Sequence, residues 1–124
     1  MTPIVLNDEN ANPVTFVVRR QPSATLSAIL QPVATGNGTK TELPRIEISM
    51  RVAGGRTEPV ATVAVPFGET RNGTYHKLGQ VTHVIRASQP DTAPNAVVER
   101  AATFAAQLTQ NQAILDLFRD GELS

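Results

Sequence analysis

The chain has no cysteine and no tryptophan, and aromatic residues make up only 4% of it. Without cysteine, disulfides, thiolate metal sites and cysteine nucleophiles are all excluded, and the redox compartment leaves no mark. No stretch approaches the ~18 consecutive apolar residues of a membrane-spanning helix, so no membrane partner is expected. Pro3 and the polar segment Asn7 to Asn10 interrupt the start, so no basic and apolar secretory signal is expected there. Nor does one sign of charge dominate, since 11 basic and 11 acidic residues balance. What is present is 124 residues, 40% hydrophobic, too apolar for wholesale disorder. A chain of this length buries roughly two-thirds of its unfolded surface, enough for one core but not two. A single domain over residues 1–124 is expected.

The balanced charge hides an asymmetry. Residues 1–90 carry nine basic against six acidic side chains, and residues 91–124 carry two against five. Most of the basic residues are arginine, whose planar fork suits bidentate phosphate contact. Ordinary surface charge is the plain alternative.

The basic part reads as strands separated by turns. Ile4 to Leu6 is a short apolar run, and Thr15 to Arg20 is rich in β-formers and closed by Pro22. Ala24 to Val33 reads as a strand or a weak helix, with Gln31-Pro32 against a continuous helix. Gly36-Asn37-Gly38 has hairpin-turn composition. From Arg45 to Val52, apolar Ile46, Ile48, Met50 and Val52 alternate with Arg45, Glu47, Ser49 and Arg51. Period-two alternation predicts one buried and one wet face of an antiparallel sheet. Gly54-Gly55 turns the chain into a second alternating strand, which Pro66 is expected to limit, and Asn72-Gly73 signals a further hairpin. Thr74 to Ser88 completes the meander, with Val81, His83, Ile85 and Ala87 on one face.

After Gln89-Pro90-Asp91 the period changes. Asp91 or Thr92 is placed to N-cap a helix, and Pro94 suits its first turn. Val97, Ala101, Phe104 and Leu108 recur at helical spacing; Asn111 can cap a second helix carrying Ile114, Leu115 and Phe118, which Gly121 ends. Strands followed by two helices make an α+β fold. Two small helices cover a sheet poorly and a meander leaves edges unpaired, so a dimer with a joined sheet and exchanged helices is expected.

Catalytic chemistry finds no support. His76 and His83, the only histidines, lack metal-ligand spacing, and His83 reads as a packed core residue. No nucleophile elbow or dinucleotide fingerprint occurs, and Gly36 to Lys40 resembles a phosphate loop in composition but not in spacing. No cofactor and no metal are expected. The polar strand faces say more. Arg45, Ser49 and Arg51 share one side, Thr62 belongs beside them, and Gln80, Thr82 and Arg86 extend the surface, with Lys77 nearby. Arginines and hydroxyls on a broad sheet can hold RNA phosphates and hydrogen-bond splayed bases. Glu47 opposes phosphate unless Arg45 or Arg51 pairs with it.

The ordered set of these pieces resembles the coat proteins of the levivirus-like single-stranded RNA bacteriophages, over nearly the whole chain. It comprises an N-terminal hairpin, Ile48-Ser49-Met50-Arg51, then Val63-Ala64-Val65-Pro66, then the strand Val81 to Ser88 running into a helix over Asn95 to Gln110. The resemblance implies a homodimer with one continuous ten-stranded sheet and helices packed across onto the partner. It further implies an icosahedral T=3 capsid with the sheet facing single-stranded viral RNA, and a virion assembled in the bacterial host cytoplasm. An RNA hairpin bound there represses translation and marks the genome for packaging. Ser49, Arg51 and Arg45 fall on RNA-facing family positions, and Val97, Ala101, Phe104, Leu108, Ile114, Leu115 and Phe118 on the helices that pack on the partner. Glu47 stands where the family commonly has a small hydroxyl residue, and Thr62 where a basic residue is common. The resemblance implies a base-stacking role for Tyr75 or His76, and Phe67 to Asn72 resembles the loop that lines symmetry axes. The alternatives are a dimeric RNA-binding regulator that forms no shell, and a small enzyme with a pocket at His76 or His83.

Overall fold

In a computed structural model that describes residues 1–23, 26–32 and 43–121, the chain divides into two units, Met1–Ser88 and Gln89–Ser124. The first unit holds β1 (Ile4–Asn7), β2 (Pro13–Arg20), β3 (Ala28–Pro32), β4 (Arg45–Ala53), β5 (Arg56–Arg71) and β6 (Thr74–Arg86). They pair antiparallel in chain order, as the two-residue turns dictate for β4, β5 and β6. The expected turn at Gly36-Asn37-Gly38, and Lys40 beside it, lie outside the described residues.

Register assigns every strand residue to a face. Ile46 lies between Leu30 and Val63, and Ile48 between Ala28 and Ala61, so the apolar alternation of β4 continues across the sheet. Phe16, Ala28, Leu30 and Ile46 form the buried core, with Ile4, Val14, Val18, Ile48 and Val63 packed against it. Toward the far end of β4 and along β6 the same face opens to solvent: Met50 and Val52 are each 67% exposed, and Val81 and Ile85 are exposed too. His83 faces Val63 on this side but is exposed, so it is not the core histidine its apolar neighbours suggested. It belongs to the open end of the face, beyond the buried cluster.

The turns follow their dipeptides. Gly54 and Gly55 have φ of 59° and 74°, and Asn72 and Gly73 have 52° and 77°. Two successive positive φ values are the mirror-image turn that matches strand twist. Pro66 does not end β5, which continues to Arg71. Pairing with β4 stops at Arg45 opposite Ala64, so Pro66 has a strand partner only on the β6 side. A proline is tolerated at such an edge. The segment Phe67 to Asn72 is therefore strand up to Arg71 and its turn, not a loop, and it carries a bulge at Phe67/Gly68.

The second unit opens with β7 (Gln89–Pro90), then α1 (Asn95–Gln110) and α2 (Gln112–Asp120). Neither Asp91 nor Thr92 caps α1; Pro94 takes the N-cap place with extended backbone and no side-chain bond. The reason is a turn just upstream, closed by the Ala93 amide donating to the Pro90 carbonyl at 3.0 Å, which holds Asp91 and Thr92 short of the helix. Asn111 does cap α2, its side chain accepting from the Ala113 amide at 3.0 Å, and Gly121 ends it at φ 71°. Val97, Ala101, Phe104, Leu108, Leu115 and Phe118 are exposed and Ile114 is half-buried; Phe104 reaches 63%. Among the described residues, neither helix has a buried side chain.

Candidate nucleic-acid interface

Opposite the apolar side, the sheet presents a polar face whose order is set by the same register. Along β4 it reads Arg45, Glu47, Ser49, Arg51. Their partners on β5 are Ala64, Thr62, Val60 and Glu58, and beyond those on β6 come Thr82, Val84 and Arg86. Thr62 is thus directly opposite Glu47, as alternation predicts. Gln80 faces Pro66, and Lys77 faces Gly68 just past the bulge.

Hydrogen bonds organise this surface into distinct parts. Arg45 and Glu47 form an ion pair through Nη2 and Oε1, so the acid that opposed phosphate binding is matched by its own neighbour. Lys77 Nζ donates to Gln80 Oε1 at 2.8 Å, and Gln80 Nε2 donates to Thr82 Oγ1 at 3.3 Å, a relay along β6. Arg51 and Arg86 have no hydrogen bond or ion pair with another described residue, and both are exposed. Arg86 stands beside Val60, whereas Arg51 has Glu58 directly opposite it on β5.

A concavity of about 610 Å³ occupies part of the face. Arg45, Thr62, Lys77, Gln80 and Thr82 line it, whereas Ser49, Arg51 and Arg86 lie outside it along the same face. Neither His76 nor His83 lines it. Arg19, Arg20 and Gln31 also line it, and none of the three was singled out in the sequence. A register shift between Val18 and Arg20 adds a residue to β2, which brings both consecutive arginines to the concavity. Arg20 donates through Nε and Nη2 to the Ser27 carbonyl and hydroxyl at 2.9 and 3.0 Å, and Arg19 Nη2 donates to the Pro32 carbonyl at 3.2 Å. The Arg-Arg pair at a strand end was the available signal, but a bulge cannot be read from alternation.

No family model matches the chain, and no curated protein matches it in sequence. Solved structures match closely in shape. The virus-like particle of Beihai levi-like virus 21 gives a TM-score of 0.85 at 16% identity, over 98% of this chain and 95% of that one. The virus-like particle of bacteriophage NT-214 gives 0.85 at 15% identity, over 100% and 98%. The bacteriophage GA capsid protein gives 0.70 at 18% identity, over 98% and 95%. The chain has the RNA phage coat protein fold. Within this coat-protein fold the polar sheet face is a broad strip of arginine, hydroxyl and amide groups. Among the described residues there is no group of three histidines or carboxylates that could hold a metal. No helix is long and apolar enough to cross a membrane.

Proposed function

We propose that this protein is the capsid protein of a small single-stranded RNA bacteriophage. One coat-protein domain over residues 1–124 forms dimers, the dimers form an icosahedral shell, and the polar sheet face binds viral RNA inside it. The shared fold supports the capsid role, and the uncovered apolar surfaces carry the assembly argument. Phe104, Leu108 and Val97 on α1, and Met50, Val52, Val81 and Ile85 on the sheet, are all exposed. Strand β6 ends the strand order with a neighbour on one side only. A second copy paired along β6, with each copy's helices laid on the other's open sheet face, would bury both surfaces.

RNA binding is supported by the exposed guanidinium groups of Arg51 and Arg86 and by the cations Arg19, Arg20, Arg45 and Lys77 of the concavity. Phosphate contacts there release counterions and favour any RNA, while Ser49, Thr62, Gln80 and Thr82 can bond to bases. Translational repression through one hairpin and selective packaging follow if one RNA sequence is preferred. No catalytic step, cofactor or metal is part of this reading. Electron microscopy of the expressed protein tests it directly: particles of virus size are expected. Stable dimers that never form particles would instead favour a free RNA-binding regulator.

A further inference from the structure

General RNA binding leaves one feature unexplained, a carboxylate in the middle of a cationic concavity. Glu47 sits between Ile29 on β3 and Thr62 on β5, and is the one acid among the described lining residues, beside Arg19, Arg20, Arg45 and Lys77. For phosphate alone this acid is a handicap. Its ion pair with Arg45 runs through Oε1, and among the described residues no bond is made to its other oxygen. A carboxylate offers about four lone-pair sites and cannot donate, so the pair leaves room for two further N–H donors.

Only one RNA base matches that demand. Guanine carries N1–H and N2–H side by side on its Watson–Crick edge, two parallel donors for two carboxylate oxygens. Adenine and cytosine set an acceptor nitrogen next to their amine, which a carboxylate repels, and uracil flanks its single N–H with carbonyls. We propose that the concavity takes one unpaired guanine of single-stranded RNA, read by Glu47, with adjoining phosphates on Arg19, Arg20 and Lys77. The inference rests on the RNA-binding reading above and adds its base preference. Ile29 and Ala64 supply apolar lining for the base plane, and the volume of about 610 Å³ falls within the 300–1,000 Å³ typical of ligand sites. Arg45 acts as a positioning residue, fixing the carboxylate without needing to touch the base.

The test uses the full chain and hairpin RNAs of one stem whose loop differs at a single unpaired position: guanosine, adenosine, cytidine, uridine or inosine. The guanosine loop should bind roughly ten- to hundredfold tighter than the adenosine, cytidine and uridine loops. Inosine, which keeps N1–H and lacks the N2 amine, should fall between. Glu47→Gln should bind the adenosine, cytidine and uridine loops at least as tightly, having lost a negative charge, but the guanosine loop more weakly, so that the guanosine preference is lost. Equal binding of all loops by the unaltered protein overturns this inference and leaves the RNA-binding reading standing. A guanosine preference that survives in Glu47→Gln also overturns it. Binding to none of the hairpins overturns both.

Discussion

Arg51 and Glu47 place opposite charges at alternate polar positions of one strand. Arg51 lies outside the concavity, opposite Glu58, so under the proposed RNA binding its contribution would be electrostatic. Arg51→Glu is expected to leave dimers intact and to reduce the RNA carried per particle, measured by the ratio of nucleic acid to protein absorbance. Unchanged RNA content would count against the polar face as the inner surface. A different constraint acts at Gly79, opposite Phe67, where an added Cβ would approach the Phe67 ring to 2.8 Å. Because Phe67 is exposed, Gly79→Ala should move that ring aside at little cost, shifting a denaturant midpoint by no more than about 0.5 kcal/mol. Individual residues were legible in the sequence wherever alternation held: Arg45, Ser49, Arg51 and Thr62 share a face as expected. Arg19 and Arg20 were not, because a bulged residue breaks the period-two pattern on which such a reading depends. His83 was misplaced for a related reason. Its apolar neighbours are on the right face, but alternation does not say which stretch of that face its own chain covers.

At the scale of elements, the strands and helices announce themselves through turns and caps. The positive-φ pairs at Gly54-Gly55 and Asn72-Gly73, the Asn111 cap and the Gly121 terminator all fall where their residue types put them. Prolines misled in both units. Pro66 reads as a stop but lies inside β5 at a half-paired position, and Pro94 displaces the polar residues that looked like caps. Helix α2 depends more on its cap than α1 does, being nine residues long against sixteen. Asn111→Ala should therefore cost about 1 kcal/mol, seen as lost helicity at intermediate denaturant before the main transition. Helix α1 makes the opposite case. Its stripe of Val97, Phe104 and Leu108 has the spacing of a buried face and is exposed in its own chain, which a solitary folded monomer has no reason to maintain. Phe104→Asp is expected to abolish dimers and particles together, with a monomer in sedimentation; normal shells from this variant would remove the helix-exchange proposal.

For the whole molecule, the four buried apolar side chains found in the sheet unit among the described residues make a small core. Isolated copies of the chain should accordingly be marginal, and stability should come from association. Thermal unfolding of dissociated protein is expected to shift upward with concentration, since mass action links folding to assembly. A midpoint independent of concentration would point to a self-sufficient monomer. The fold class, the meander of the clear strands and both helices could be read from periodicity, because local spacing reports on local structure, while the β3 segment reads as either a strand or a weak helix. The covering of surfaces could not, because it depends on where residues distant in sequence, or in another copy, come to lie.

The scarcity of aromatic residues has a practical corollary at the β5–β6 arm. Tyr75 is the only tyrosine, tryptophan is absent, and a Cβ at Gly68 would lie 2.8 Å from the Tyr75 ring. The molecule thus carries a single built-in fluorophore, seated where the bulge bends the arm. Its emission can report on the surroundings of that bulge, were copies of the chain to associate, without any added label.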